Sequence, residues 1–251
     1  MSRRKRCIPA ERGPVHLTER DYLLLDAVAR CGYLTSAQIT REFFKSQDRA
    51  LHRLRQLVDA RYLNATLLAS RAPNLLSCTS AALDALRDRD GSLDGIRLPS
   101  PIRASAVPHF VLTNDFRLYC AALREAGHGE LLRWDAGAGV ESQNTRAHRL
   151  RPDATISVRL GSAVGTAFVE IDCGHEGADL EDKLSRYARL LPVPATQVWI
   201  VAAGPVARVL AVARMCRRHQ IDRFCRLFTP EDICVRPAKP AAPRLFRLFE
   251  P

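Results

Sequence analysis

The sequence predicts a mixed α/β fold, α+β over the whole chain, and three observations predict it. Apolar residues recur at helical spacing in three short stretches between Thr18 and Val58. Beyond residue 109, short strand-like runs alternate with helices, and a stretch carrying Gly91, Gly95, Pro99, Pro101 and Pro108 separates the two regions. A linker is therefore expected over 91–108. With 251 residues, 47% of them hydrophobic and 26% charged, the chain can bury one good core or two small ones and is too apolar to be disordered.

Residues 1–17 are basic and hold Pro9, Gly13 and Pro14, so they read as an arm without assigned structure. From Thr18 the pattern changes. Thr18 with Asp21 resembles a capping arrangement, and Tyr22, Leu24, Leu25, Val28 and Ala29 keep helical spacing up to Gly32, a natural stop. Thr35 and Gln38 make a second capping box, opening a short helix that ends at Phe43 or Phe44. Ser46 is placed to cap a third helix, whose apolar stripe is Leu51, Leu54, Leu57 and Val58. Residues 62–68, a polar turn over 69–74 and residues 75–78 then read as a hairpin, followed by a helix over 80–89 capped by Thr79 or Ser80. Three helices and a hairpin are the order of a winged helix-turn-helix, expected over 18–90.

The second part, 109–235, reads as a helix over 109–126 and strands at 130–134, 154–160 and 166–172, the last two joined by a Gly161–Gly165 turn. A helix over 178–191 stopped by Pro192, a strand over 196–202, a helix over 205–219 and a strand over 224–228 follow. The order αβββαβαβ implies a mixed sheet with helices on its faces. The tail, 236–251, is rich in Ala and Pro and ends in an apolar stretch over 245–249, either a staple onto the body or a partner motif.

Lys and Arg total 38 against 27 Asp and Glu, a net charge of +11, which is the footprint of a protein that meets a polyanion. Nucleic acid is the leading partner class. No apolar run approaches the roughly 18–20 residues of a membrane span, and the basic start is not followed by a signal-peptide core, so a cytoplasmic location is expected. The eight cysteines include no Cys-x-x-Cys pair, and reduced buried thiols are expected of them. The chain lacks a Gly-x-x-x-x-Gly-Lys-Ser/Thr phosphate loop, a Gly-x-Ser-x-Gly elbow and a dinucleotide fingerprint, which disfavours the enzyme classes built on them.

Two constellations carry chemistry. On the third helix, Arg49, Arg53 and Gln56 are spaced i, i+4, i+7 opposite the apolar stripe, aligned for a major groove in which arginine pairs with guanine and glutamine with adenine. Arg55 and Lys45 are expected at phosphates, and Arg71 at the hairpin tip reaches the minor groove or backbone. The alternative is a solvated face that binds nothing.

The second constellation is acidic. Asp153 opens one strand, and Glu170 and Asp172 end the next on a shared face, so hairpin pairing is expected to make three carboxylates converge. Mg²⁺ or Mn²⁺, with Asp153, Glu170 and Asp172 as ligands, is the simplest compensating charge and would supply an activated water. Lys183, the only lysine between Lys45 and Lys239, shares a helix face with Tyr187 and Asp179 and would stabilise phosphoryl charge beside that cluster. Alternatively Lys183 pairs with Asp172 or Asp179 as a structural ion pair. Asn114 and Asp115 are expected to face water, and His175 to be an exposed loop residue.

The segments opening at Leu17-Thr18-Glu19-Arg20-Asp21 and Tyr33-Leu34-Thr35-Ser36-Ala37-Gln38-Ile39, and Arg53-Leu54-Arg55-Gln56-Leu57-Val58-Asp59-Ala60, resemble the bacterial plasmid replication-relaxation proteins. So do residues 109–117, Arg151-Pro152-Asp153-Ala154, and Glu170-Ile171-Asp172 with Lys183 and Tyr187 downstream, and the likeness spans nearly all of 17–205. The resemblance implies a role in plasmid replication or mobilisation and a winged-helix DNA-binding part. It also implies an αβββαβ restriction-endonuclease-like core of the PD-(D/E)xK type, with Pro152-Asp153 and Glu170 at the acidic positions. Asp172 stands where that pattern has lysine. Either Lys183 replaces it from the helix, or the core is a silent DNA or protein platform.

Three functional readings stand. The first is a duplex-DNA-binding protein of a plasmid or other mobile element, working beside replication or conjugation proteins. The second is a metal-dependent DNA endonuclease. The third is a winged-helix transcriptional regulator whose α/β half forms a homodimer.

Overall fold

Three of the N-terminal helices begin where a side chain can receive a free amide. In the computed structural model of the protein, which describes residues 15–66, 74–91, 93, 96, 98–136, 150–174, 177–191 and 196–234, the chain divides between Ala104 and Ser105 into two units. Arg71 with most of the hairpin tip, His175, residues 1–14 of the arm and the tail lie outside the described residues.

In the first unit, α1 (Glu19–Cys31) opens on Thr18, whose Oγ1 accepts from the Asp21 amide while the Asp21 carboxylate accepts from the Thr18 amide. It stops at Gly32, at φ 74°. A two-residue strand, β1 (Leu34–Thr35), leads into α2 (Ser36–Phe43), which is closed by the reciprocal Thr35–Gln38 cap. α3 (Gln47–Asp59) starts after Ser46, which makes no side-chain capping bond. Its buried stripe is Ala50, Leu54 and Leu57, with Leu51 and Val58 only half-buried. β2 (Leu63–Thr66) and β3 (Leu75–Cys78) pair antiparallel, β1 joins the other edge of β3, and α4 (Ser80–Asp90) follows from the Thr79 cap. Leu24, Leu25, Val28, Ile39 and Leu86 complete the core.

In the second unit, α5 (Val107–Ala122) begins two residues before the expected position, with Pro108 in its first turn, where a missing amide costs nothing. β4 (Glu130–Ala136), β5 (Ala154–Leu160) and β6 (Ala163–Asp172) form an antiparallel meander. After α6 (Gly177–Leu190), β7 (Thr196–Ala202) adds parallel to β6. After α7 (Val206–Arg218) and a 3-10 turn at Asp222–Phe224, β8 (Cys225–Phe228) adds parallel to β7, and α8 (Pro230–Cys234) follows. The mixed sheet runs β4-β5-β6-β7-β8. Two sheets and eight α-helices among the described residues make the mixed α/β class that the sequence predicts.

The pleat of this sheet decides what the acidic residues meet. Phe116, Ile156, Val169, Trp199 and Phe228 pack on the α5 side, whereas Phe168, Leu184, Tyr187, Val198 and Ile200 pack on the α6 and α7 side. Glu170 and Asp172 share the parity of Phe168 and so project into the second layer. Among the described residues, Cys31, Cys78, Cys120, Cys173, Cys216 and Cys225 form no disulfide, and all but Cys173 are buried. No described helix is long and apolar enough to cross a membrane.

Candidate functional site

The Asp21 carboxylate that caps α1 is fully buried, and a buried carboxylate needs a cation. Arg53 on α3 supplies it, with Nε donating to Oδ1 at 3.0 Å and Nη2 to Oδ2 at 2.6 Å. The same guanidinium donates to the His16 carbonyl at 2.7 Å and to Gln56 Oε1 at 2.8 Å, and Gln56 Nε2 lies 3.2 Å from His52 Nε2. Burial pushes the Asp21 carboxyl up, but Arg53 and Thr18 outweigh it and hold the group below the usual carboxylate range. The bond to Asp21 raises Arg53 in turn.

This changes the expected recognition stripe. Arg53 ties α3 to α1, and reading a base would require it to abandon a buried carboxylate. Gln56 extends the tie. Arg49 and Arg55 are exposed on α3, Lys45 is exposed just before it, and His52 joins them on the outward side. His52 was legible as the residue three positions from both arginines. The partnership of Asp21 and Arg53, 32 residues apart, left no local signal.

In the second unit each carboxylate meets its own partner. Asp153 Oδ2 accepts from the Ile171 amide at 2.7 Å and lies 3.2 Å from His109 Nε2. Glu170, 1% exposed, accepts from Lys183 Nζ at 2.6 Å on Oε2 and from the Tyr187 hydroxyl at 2.7 Å on Oε1. Asp172 receives a two-pronged Arg208 from α7, at 2.6 and 2.7 Å, and a 3.1 Å bond from the Gly174 amide. The strand places Glu170 and Asp172 on one face as expected, but two helices each drive a cation into that face and divide the row. Lys183 pairs with Glu170, where Asp172 or Asp179 was the partner anticipated for a structural ion pair.

The three carboxylates therefore do not form the expected metal-binding group, and no three His, Cys, Asp or Glu side chains are placed to hold an ion among the described residues. A Mg²⁺ or Mn²⁺ ion at Glu170 would have to displace the Lys183 ammonium and a buried phenol, so the donor set does not fit one. Burial raises Glu170 to about 7 against the pull of Lys183, and the charge of Asp153 adds to the rise. Burial also pushes Asp153 up, but His109 and Lys183 outweigh it and hold that group below its ordinary value. The pair thus divides into a firmly ionised Asp153 and a Glu170 that titrates near neutrality. Burial pushes the Tyr187 phenol well up, with Glu170 adding, so it stays a donor.

The family model described as replication-relaxation matches residues 25–198, more than half of the chain. This chain belongs to the replication-relaxation family. No curated protein and no solved structure matches it. Membership in the replication-relaxation family points to a role in plasmid replication or relaxation. The matched stretch runs from within α1 to the third residue of β7, taking in α3, Asp153, Glu170, Asp172 and Lys183 and stopping short of Arg208.

Other polar residues of this replication-relaxation protein fall differently from expectation. Asn114 and Asp115 are 5% and 9% exposed, buried in α5 instead of facing water. Tyr187 beside Lys183 was legible from their i, i+4 spacing. His109 and Arg208 were not, because each belongs to a helix whose docking on the sheet the local pattern does not fix.

Proposed function

We propose that this replication-relaxation protein binds duplex DNA, with its first unit a winged helix whose α3 enters the major groove and whose β2–β3 hairpin forms the wing. The observation that carries this reading is the division of α3: Ala50, Leu54, Leu57 and the Asp21-bound Arg53 face inward, while Arg49, His52 and Arg55 stand outward. The net charge of +11 supports it. Arg49 and Arg55 are the candidate base or phosphate contacts, with Lys45 at the backbone. The second unit, nuclease-like in its order of elements, serves in this reading as a platform and does not cut, since Glu170 and Asp172 are neutralised by Lys183 and Arg208.

The test is fluorescence anisotropy of wild type and Arg49→Ala/Arg55→Ala on a duplex over a range of salt. Removing two phosphate or base contacts should weaken binding by at least about 2 kcal/mol and lower the salt slope by about 2. Unchanged affinity and slope would remove α3 from the interface. Supercoiled plasmid incubated with Mn²⁺ should stay intact. Cuts that vanish in Asp153→Ala would replace the platform with a metal-dependent nuclease.

A further inference from the structure

Between the end of α5 and the sheet of the second unit lies a cavity of about 350 Å³, walled by Tyr119, Leu123, Trp199 and Phe228, with Arg226 and His128 as its polar groups. Arg226 on β8 is the register partner of Trp199 on β7, and its guanidinium carbon sits 5.6 Å from the indole centroid. The guanidinium is half-buried and makes no hydrogen bond or ion pair with a described residue. Burial lowers its pKa, with only the charge of Tyr119 opposing. That phenol is itself pushed up to about 12 by burial and is neutral at ordinary pH. His128 also lines the space, but its Nε2 is screened from solvent and does not face a ligand there.

The cavity thus holds one cation with no acceptor among the described residues. A partly desolvated guanidinium with no internal acceptor gains a charge-assisted hydrogen bond when an oxyanion enters. The rest of the lining is aromatic and aliphatic, and the volume lies in the range of small-molecule sites. We propose that this cavity binds a small amphipathic anion, a flat apolar ring bearing a phosphate or carboxylate, with the oxyanion on Arg226 and the ring against Trp199 and Phe228. A nucleoside monophosphate and an aromatic carboxylate share this chemistry. The inference does not rest on DNA binding by α3, and either can fail without the other.

The experiment is calorimetry on the full chain with dAMP, benzoate and inorganic phosphate in turn, with melting curves of each variant. One ring-bearing anion should bind one-to-one below about 1 mM and perturb tryptophan emission, with phosphate alone at least about tenfold weaker. The preferred ring-bearing probe identifies the source. Arg226→Met should lose at least about tenfold in affinity and melt close to wild type, because it gives up one ring contact to Trp199 and no hydrogen bond or ion pair to a described residue. Leu160→Trp, which fills the cavity from a half-buried wall position, should abolish binding, and this decides the matter if Arg226→Met melts early. The proposal is overturned if neither ring-bearing probe binds at about 10 mM, if phosphate alone binds as well, or if both variants bind like wild type.

Discussion

Arg53→Met keeps most of the aliphatic stem and removes the guanidinium from the buried Asp21, which turns the structural account of α3 into a measurement. The Arg53 side chain is 17% exposed and that of Asp21 0%. Breaking a buried pair by deleting one partner costs about 3–5 kcal/mol; Asp21 keeps two bonds from Thr18, at 2.8 and 2.6 Å, which lowers the expected cost to about 2–4 kcal/mol. For a unit of about 100 residues this is a fall of about 10–30 °C in melting temperature. Both tryptophans, Trp134 and Trp199, belong to the second unit, so the first is followed by hydrogen exchange of the α1 and α3 amides and by circular dichroism. The sign with pH is fixed. Asp21 is depressed in the fold, so its contribution is present above the ordinary value of 3.8 and lost as pH falls through the lower folded value. The gap between wild type and variant should be widest near neutrality and close in acid. Asp21→Asn/Arg53→Met should recover about half of the loss or more. Wild-type stability in Arg53→Met together with lost DNA binding would refute the reasoning and return Arg53 to the groove.

Glu170 runs the other way. Its folded carboxyl stands near 7 against an ordinary 4.5, so its stabilisation is greatest below the ordinary value and lost as pH rises through about 7. Glu170→Gln should therefore gain on wild type by about 1–3 kcal/mol between pH 5 and pH 8 in urea unfolding followed by tryptophan emission, and a pH-independent difference would contradict the raised carboxyl. Arg208→Ala should cost about 3–5 kcal/mol by the same assay, since Asp172 would be left buried and charged, and Asp172→Asn added to it should restore much of the loss. Unchanged stability on losing Arg208 would mean that Asp172 is available to another ligand.

What was legible in the sequence was local. The Thr18–Asp21 and Thr35–Gln38 boxes need only residues three apart, and the structure forms both. The alternation of strands and helices after residue 109 likewise follows from periods of 2 and 3.6. β1 was illegible because its two residues become a strand only by pairing with Leu75 and Leu76, some forty positions on. α8, five residues long, is too short to show a period. The stripe on α3 shows the limit most clearly: spacing aligned Arg49, Arg53 and Gln56, but whether an aligned arginine points at solvent or at a buried carboxylate depends on another helix.

The acidic row fails as a metal site for the same reason. Strand parity correctly set Glu170 and Asp172 on one face, but the step to a metal assumed that buried carboxylates had no cation of their own. In a chain with 38 basic residues against 27 acidic ones, a cation from a packed helix is readily at hand, and Lys183 and Arg208 fill that place. Here the acids are the scarcer partner, and the burial of Glu170 and Asp172 removes two of them from any surface role. Recognition is then to be sought where the surplus of positive charge stands without an acid to absorb it. Among the described residues, the outward side of α3 at Arg49 and Arg55 and the cavity at Arg226 are two such places, and both would take an anion.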